Sequence, residues 1–107
     1  MELDIETFRK YFEEDAVLIS EHAAERFQER GIKISDIRYA IGDGEIIEQY
    51  PDDFPFPSCL ILGTTKEGKM LHTVMSDEGS MSRIITAYYP DPDKWSADFK
   101  VRKDRAK

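Results

Sequence analysis

The apolar residues of this chain change rhythm at Gly42-Asp43-Gly44. Ahead of that turn they recur every three or four positions, as Ile5, Phe8 and Phe12 do. Beyond it they gather in short runs bounded by glycine, proline and aspartate. The first spacing stacks side chains on one side of an α-helix, whereas the second suits β-strands. Helices followed by strands, rather than alternating with them, predict an α+β fold. The expected architecture is two or three N-terminal helices packed on a four-stranded, mostly antiparallel sheet. A length of 107 residues suits one core rather than two.

Local signals place the elements. A first helix is expected from Asp4 through Phe12, with acids early and bases late, as the helix dipole favours. Ala16-Val17-Leu18-Ile19 is a short apolar lead-in assigned to no element. Ser20 can cap a second helix running to Arg30 and closed by Gly31 in the left-handed position. Ser35-Asp36 is expected to cap a third, short helix carrying Ile37, Tyr39, Ala40 and Ile41. Strands are then expected over 45–50, 58–65, 70–76 and 82–89, the last three joined as a meander by short turns. Three prolines keep the loop 51–57 extended. The reading is one domain over 1–93 and a basic tail over 94–107, starting as a helix around Trp95 and Phe99, its anchors, and then fraying.

Charge narrows the function classes. Residues 1–93 carry 9 basic and 20 acidic side chains, whereas residues 94–107 carry 6 basic and 2 acidic. A broad phosphate-binding surface is excluded on the body, so any RNA contact must be local or lie on the tail. Cys59 is the only cysteine, which excludes an internal disulfide and a cysteine-based zinc cluster. No metal-ligand spacing occurs, and no metal or other cofactor is expected. No apolar run reaches the ~20 residues of a membrane span. The opening Met1-Glu2-Leu3-Asp4 lacks a basic segment followed by an apolar stretch, so the expected address is the cytoplasm.

The residues that carry chemistry cluster on the second helix. At about 100° per residue, His22, Arg26 and Arg30 fall on one side of the wheel. An imidazole in line with two guanidiniums can clamp a phosphate, stabilise developing negative charge and move a proton near neutral pH. The plainer account is a solvated face whose arginines pair with Glu25 and Glu29. His72 stands mid-strand on the side shared by Met70 and Val74, the position of a packed histidine unless the fold brings it beside His22. In the last strand Ser82, Ile84, Thr86 and Tyr88 alternate with Arg83, Ile85, Ala87 and Tyr89, which makes Thr86 and Tyr88 a polar, aromatic pair. Cys59, in an apolar strand with no adjacent base, is not a nucleophile.

Ser20-Glu21-His22-Ala23-Ala24-Glu25-Arg26 followed by Arg30-Gly31-Ile32 resembles the opening motif of a bacterial and archaeal family catalogued as domain of unknown function 4258. The likeness continues through Gly44-Glu45-Ile46-Ile47-Glu48, Tyr50-Pro51-Asp52-Asp53 and Leu71-His72-Thr73-Val74, and closes with Ile85-Thr86-Ala87-Tyr88-Tyr89-Pro90-Asp91-Pro92. It spans roughly residues 18–93. The resemblance implies a layout similar to RelE-type and BrnT-type toxins and other small metal-independent ribonucleases. By that analogy the site residues are His22, Arg26, Arg30, His72, Thr86 and Tyr88. The acidic body departs from those toxins, which are usually basic.

Two functions follow as expectations. One is a toxin-like domain that binds or cleaves RNA without metal, travelling with an antitoxin. The other is a non-catalytic interaction module whose acidic surface and Pro-rich loop, with Phe54 and Phe56 as anchors, hold a protein partner. A homodimer formed by the sheet edge or this loop is compatible with both, and neither involves a membrane.

Overall fold

A computed structural model of the chain describes residues 2–105. Three helices, the first two separated by a short strand, lie in the first half of the chain: α1 (Ile5–Glu13), α2 (Glu21–Glu29) and α3 (Ile34–Gly42). Each starts where a side chain satisfies an otherwise unpaired backbone N–H. The Asp4 carboxylate accepts from the Glu6 N–H at 3.0 Å, and the Ser20 hydroxyl accepts from the Ala23 N–H at 3.0 Å. Gly31, at φ +69°, ends the second helix as expected. The third differs from expectation. Lys33 is its N-cap, and the Asp36 carboxylate reaches back to the Lys33 N–H at 2.9 Å, so Asp36 works from inside the first turn and Ser35 caps nothing.

The sheet has five strands, not four: β1 (Val17–Ile19), β2 (Glu45–Tyr50), β3 (Ser58–Thr64), β4 (Met70–Asp77) and β5 (Ser82–Tyr88). Their spatial order is β1-β5-β4-β3-β2, with β2 to β5 an antiparallel meander and β1 parallel to β5. The extra strand is the apolar lead-in at 17–19. Three residues carry no readable period, and the partner that makes them a strand, Ser82–Ile84, lies sixty-five residues on. A second correction concerns β5. A bulge opposite Val74 and Met75 breaks its alternation. Ile84 pairs with Met75, and Ala87 with Thr73, so both turn to the helices although three positions apart.

The core lies between the helices and one sheet face. Phe8 and Phe12 of α1, Phe27 of α2, and Ile37 and Ile41 of α3 pack against Ile61, Leu71, Met75 and Ile84. The helix α3 sits directly on β3, since a Cβ at Gly63 would stand only 2.2 Å from the Ala40 carbonyl oxygen. No helix among the described residues is long and apolar enough to cross a membrane.

The opposite sheet face is covered in part by residues 94–105. The segment expected to begin as a helix at Trp95 is a series of turns. Phe99 adopts φ +62°, which a helix does not accommodate, and the helical part is the single turn Lys103–Arg105. Trp95 is only 4% exposed and pairs in a bridge with Arg102, which holds this segment flat on the strands. Met1 and residues 106–107 of the expected tail lie outside the described residues.

Candidate functional site

Register decides which side chains share the outer face. His72 pairs with Tyr88 and Leu62, and Val74 pairs with Thr86 and Leu60, so two rows of side chains cross β3, β4 and β5 on the side away from the helices. His72 is fully buried. Its Nε2 stands 2.8 Å from the carbonyl oxygen of Phe99, and its Nδ1 stands 3.3 Å from the Tyr88 hydroxyl. A carbonyl only accepts, so Nε2 carries the proton and donates. Nδ1 is then the lone-pair nitrogen and accepts from the Tyr88 O–H. Burial lowers the His72 pKa below its ordinary value, overriding the opposite pull of the Phe99 carbonyl and Glu48. Burial also raises the Tyr88 phenol. The pair is therefore a neutral imidazole holding a neutral phenol.

An aromatic and ionic collar surrounds this pair. Trp95 meets the His72 ring edge to face at 4.4 Å between centroids, and the Arg102 guanidinium lies 4.9 Å over Trp95. Arg102 also approaches the Glu48 carboxylate at 3.9 Å, and Tyr50 donates its hydroxyl to that carboxylate. Burial and Glu48 push the Tyr50 phenol up to about 12. Glu48, Tyr50, Trp95 and Arg102 were not nominated from sequence. A tryptophan isolated in a polar tail was the one available signal.

Arg30 joins the same row from the end of α2. Its Nη1 donates to the Ala87 carbonyl at 2.8 Å and to the Thr86 hydroxyl at 3.3 Å. The cause is topological. The strand β1 covers the edge of β5 only at Ser82–Ile84, and beyond that the guanidinium supplies donors that a longer β1 would have supplied. Both bonds leave from Nη1, so among the described residues Nε and Nη2 retain three N–H donors.

Four of the six nominated residues thus form two contacting pairs on one face: Arg30 on Thr86, and Tyr88, two positions along the strand, on His72. His22 and Arg26 are exposed on α2, about 12 and 6 Å along the helix axis from Arg30. Among the described residues neither arginine pairs with Glu25 or Glu29. The ring partners of His72 are Tyr88 and Trp95 rather than His22. Among the described residues no three His, Cys, Asp or Glu side chains gather closely enough to hold a metal ion.

A family model described as a domain of unknown function (DUF4258) matches residues 19–89. No curated protein and no solved structure matches the chain.

Proposed function

The chain belongs to the DUF4258 family of domains of unknown function, and we propose that it is an RNA-directed domain, with metal-independent cleavage carried by Arg30, Tyr88 and His72. The observation that supports this reading is a guanidinium held on Thr86, two strand positions from a phenol that is hydrogen-bonded to a neutral imidazole. The layout, helices packed on one face of a small, mostly antiparallel sheet, adds an analogy with small toxin-type ribonucleases, an analogy of fold alone.

In this mechanism the free donors of Arg30 hold the scissile phosphate and stabilise its added charge as the 2′-oxygen attacks phosphorus. The 2′-hydroxyl gives its proton to the Tyr88 oxygen, and Tyr88 passes its own proton to His72 Nδ1. The bond from phosphorus to the 5′-oxygen breaks, solvent protonates that oxygen, and a 2′,3′-cyclic phosphate remains. His72 touches no substrate and acts through Tyr88. Arg26 and His22 continue the line of donors along α2 for neighbouring phosphates, which confines RNA to one local track on an acidic body.

The test is end-labelled single-stranded RNA of mixed sequence, incubated with the protein in chelator and read on a denaturing gel, with binding followed by anisotropy. Wild type cuts. Tyr88→Phe binds without cutting, and Arg26→Ala and Arg30→Ala bind more weakly. RNA that is neither bound nor cut by the folded wild type removes this reading.

A further inference from the structure

A second surface lies at the other end of the same sheet face. Ser76 and Arg83 pair in register two positions along β4 from Val74 and Thr86, so they continue the outer face. Over them the loop 51–57 encloses a cleft of about 310 Å³. Its lining is half apolar, and the large apolar residues are open to solvent: Phe54 is 95% exposed, Ile85 46% and Phe56 39%. An exposed apolar residue on its own is ordinary, but three that converge on one hollow form a patch that gains by being covered.

The polar groups narrow what can cover it. Arg83 is held by Glu78 at 2.9 Å, so its charge is already answered. Asp53 lines the cleft and accepts from the Ser58 hydroxyl, and Asp52 beside it is exposed. The surroundings are therefore negative and repel phosphate. Ser76 lines the cleft, and its hydroxyl is buried with no hydrogen-bond partner among the described residues. A hollow of this volume stands at the lower end of ligand clefts, enough for one bulky side chain.

We propose that this cleft docks a basic peptide segment of another protein, which places one aromatic or aliphatic side chain between Phe54, Phe56 and Ile85 while flanking lysines or arginines meet Asp52 and Asp53. The site is independent of the RNA track, since the two share no side chain.

The experiment is fluorescence anisotropy with labelled five-residue peptides bearing Phe, Trp, Leu or Ala between lysine pairs, and a control bearing Phe between glutamate pairs. The Phe, Trp or Leu peptide binds, and binding falls at least about tenfold with the Ala peptide, with the glutamate control, and with the Phe54→Ala/Phe56→Ala protein. Both replaced residues are exposed, and an unchanged thermal midpoint confirms that the variant is folded. Equal binding by that variant or by the Ala peptide overturns the proposal, because charge alone then accounts for it. So does an absence of binding up to about 1 mM. Displacement of the peptide by oligouridylate assigns the cleft to nucleic acid, and self-association abolished by Phe54→Ala assigns it to a second copy. Either result also overturns it.

Discussion

Acidification tests the buried imidazole directly. In the folded protein His72 is neutral with both nitrogens engaged, and burial holds its pKa below the ordinary 6.5. In the unfolded chain it titrates near 6.5. Below that pH the unfolded state binds a proton that the folded state refuses, so stability falls as pH falls. The slope reaches about 1.4 kcal/mol per pH unit until the folded pKa is passed. For a domain with a total stability of about 5–15 kcal/mol, one unit is a tenth or more of the whole. Carboxylates titrate in the same direction at lower pH, so a reference is needed. His72→Gln provides one, because its amide can donate to the Phe99 carbonyl and accept from Tyr88 but cannot titrate. Urea unfolding of both proteins between pH 8 and 5.5 is the assay. The variant is expected to be within about 2 kcal/mol of wild type above pH 7, and the difference then moves in its favour by up to about 1.4 kcal/mol for each unit below 6.5. Parallel curves for the two proteins would show that His72 is not held neutral, and the proton route through Tyr88 would fail with it.

Other outcomes follow from the packing and the charge. Gly63→Ala forces α3 off β3, because the new Cβ meets the Ala40 carbonyl oxygen at 2.2 Å; a cost of about 3 kcal/mol, read as a fall in thermal midpoint of about 10 °C or more, is expected. Cys59 is fully buried with its thiol pushed up to about 12, so an aromatic disulfide reagent leaves it unmodified until denaturant is added. If Arg26 and Arg30 each hold one phosphate of single-stranded RNA, the logarithm of affinity against that of salt has a slope near −1.4, and each Arg→Ala change reduces it by about 0.7.

Much of the fold was legible because its signals are local. Ser20 and Gly31 bracket α2 within a dozen residues, and Lys66-Glu67-Gly68-Lys69 forces β3 and β4 together wherever they lie. What escaped depends on distant partners. Val17-Leu18-Ile19 is a strand only because Ser82–Ile84 lies beside it, and the bulge in β5 answers to packing against Met75 rather than to any residue preference. The site divides in the same way. The helical spacing of His22, Arg26 and Arg30 was readable, and so was the Thr86–Tyr88 pair. Nothing near His72 in sequence announces that a carbonyl from Phe99, twenty-seven positions on, will fix its tautomer.

The parallel seat of β1 has a consequence for how molecules of this protein reach, or miss, the native state. A chain synthesised from its N-terminus carries Val17-Leu18-Ile19 long before Ser82–Ile84 exists, so the first strand in sequence is the last that can be placed. Closing so wide a loop is slow relative to the hairpins, which can form among themselves. During that interval the flank of β5 at Ser82–Ile84 stays bare, an unpaired backbone edge open to a neighbour's strand. Aggregation of this protein should therefore originate in late folding intermediates and rise with temperature during expression.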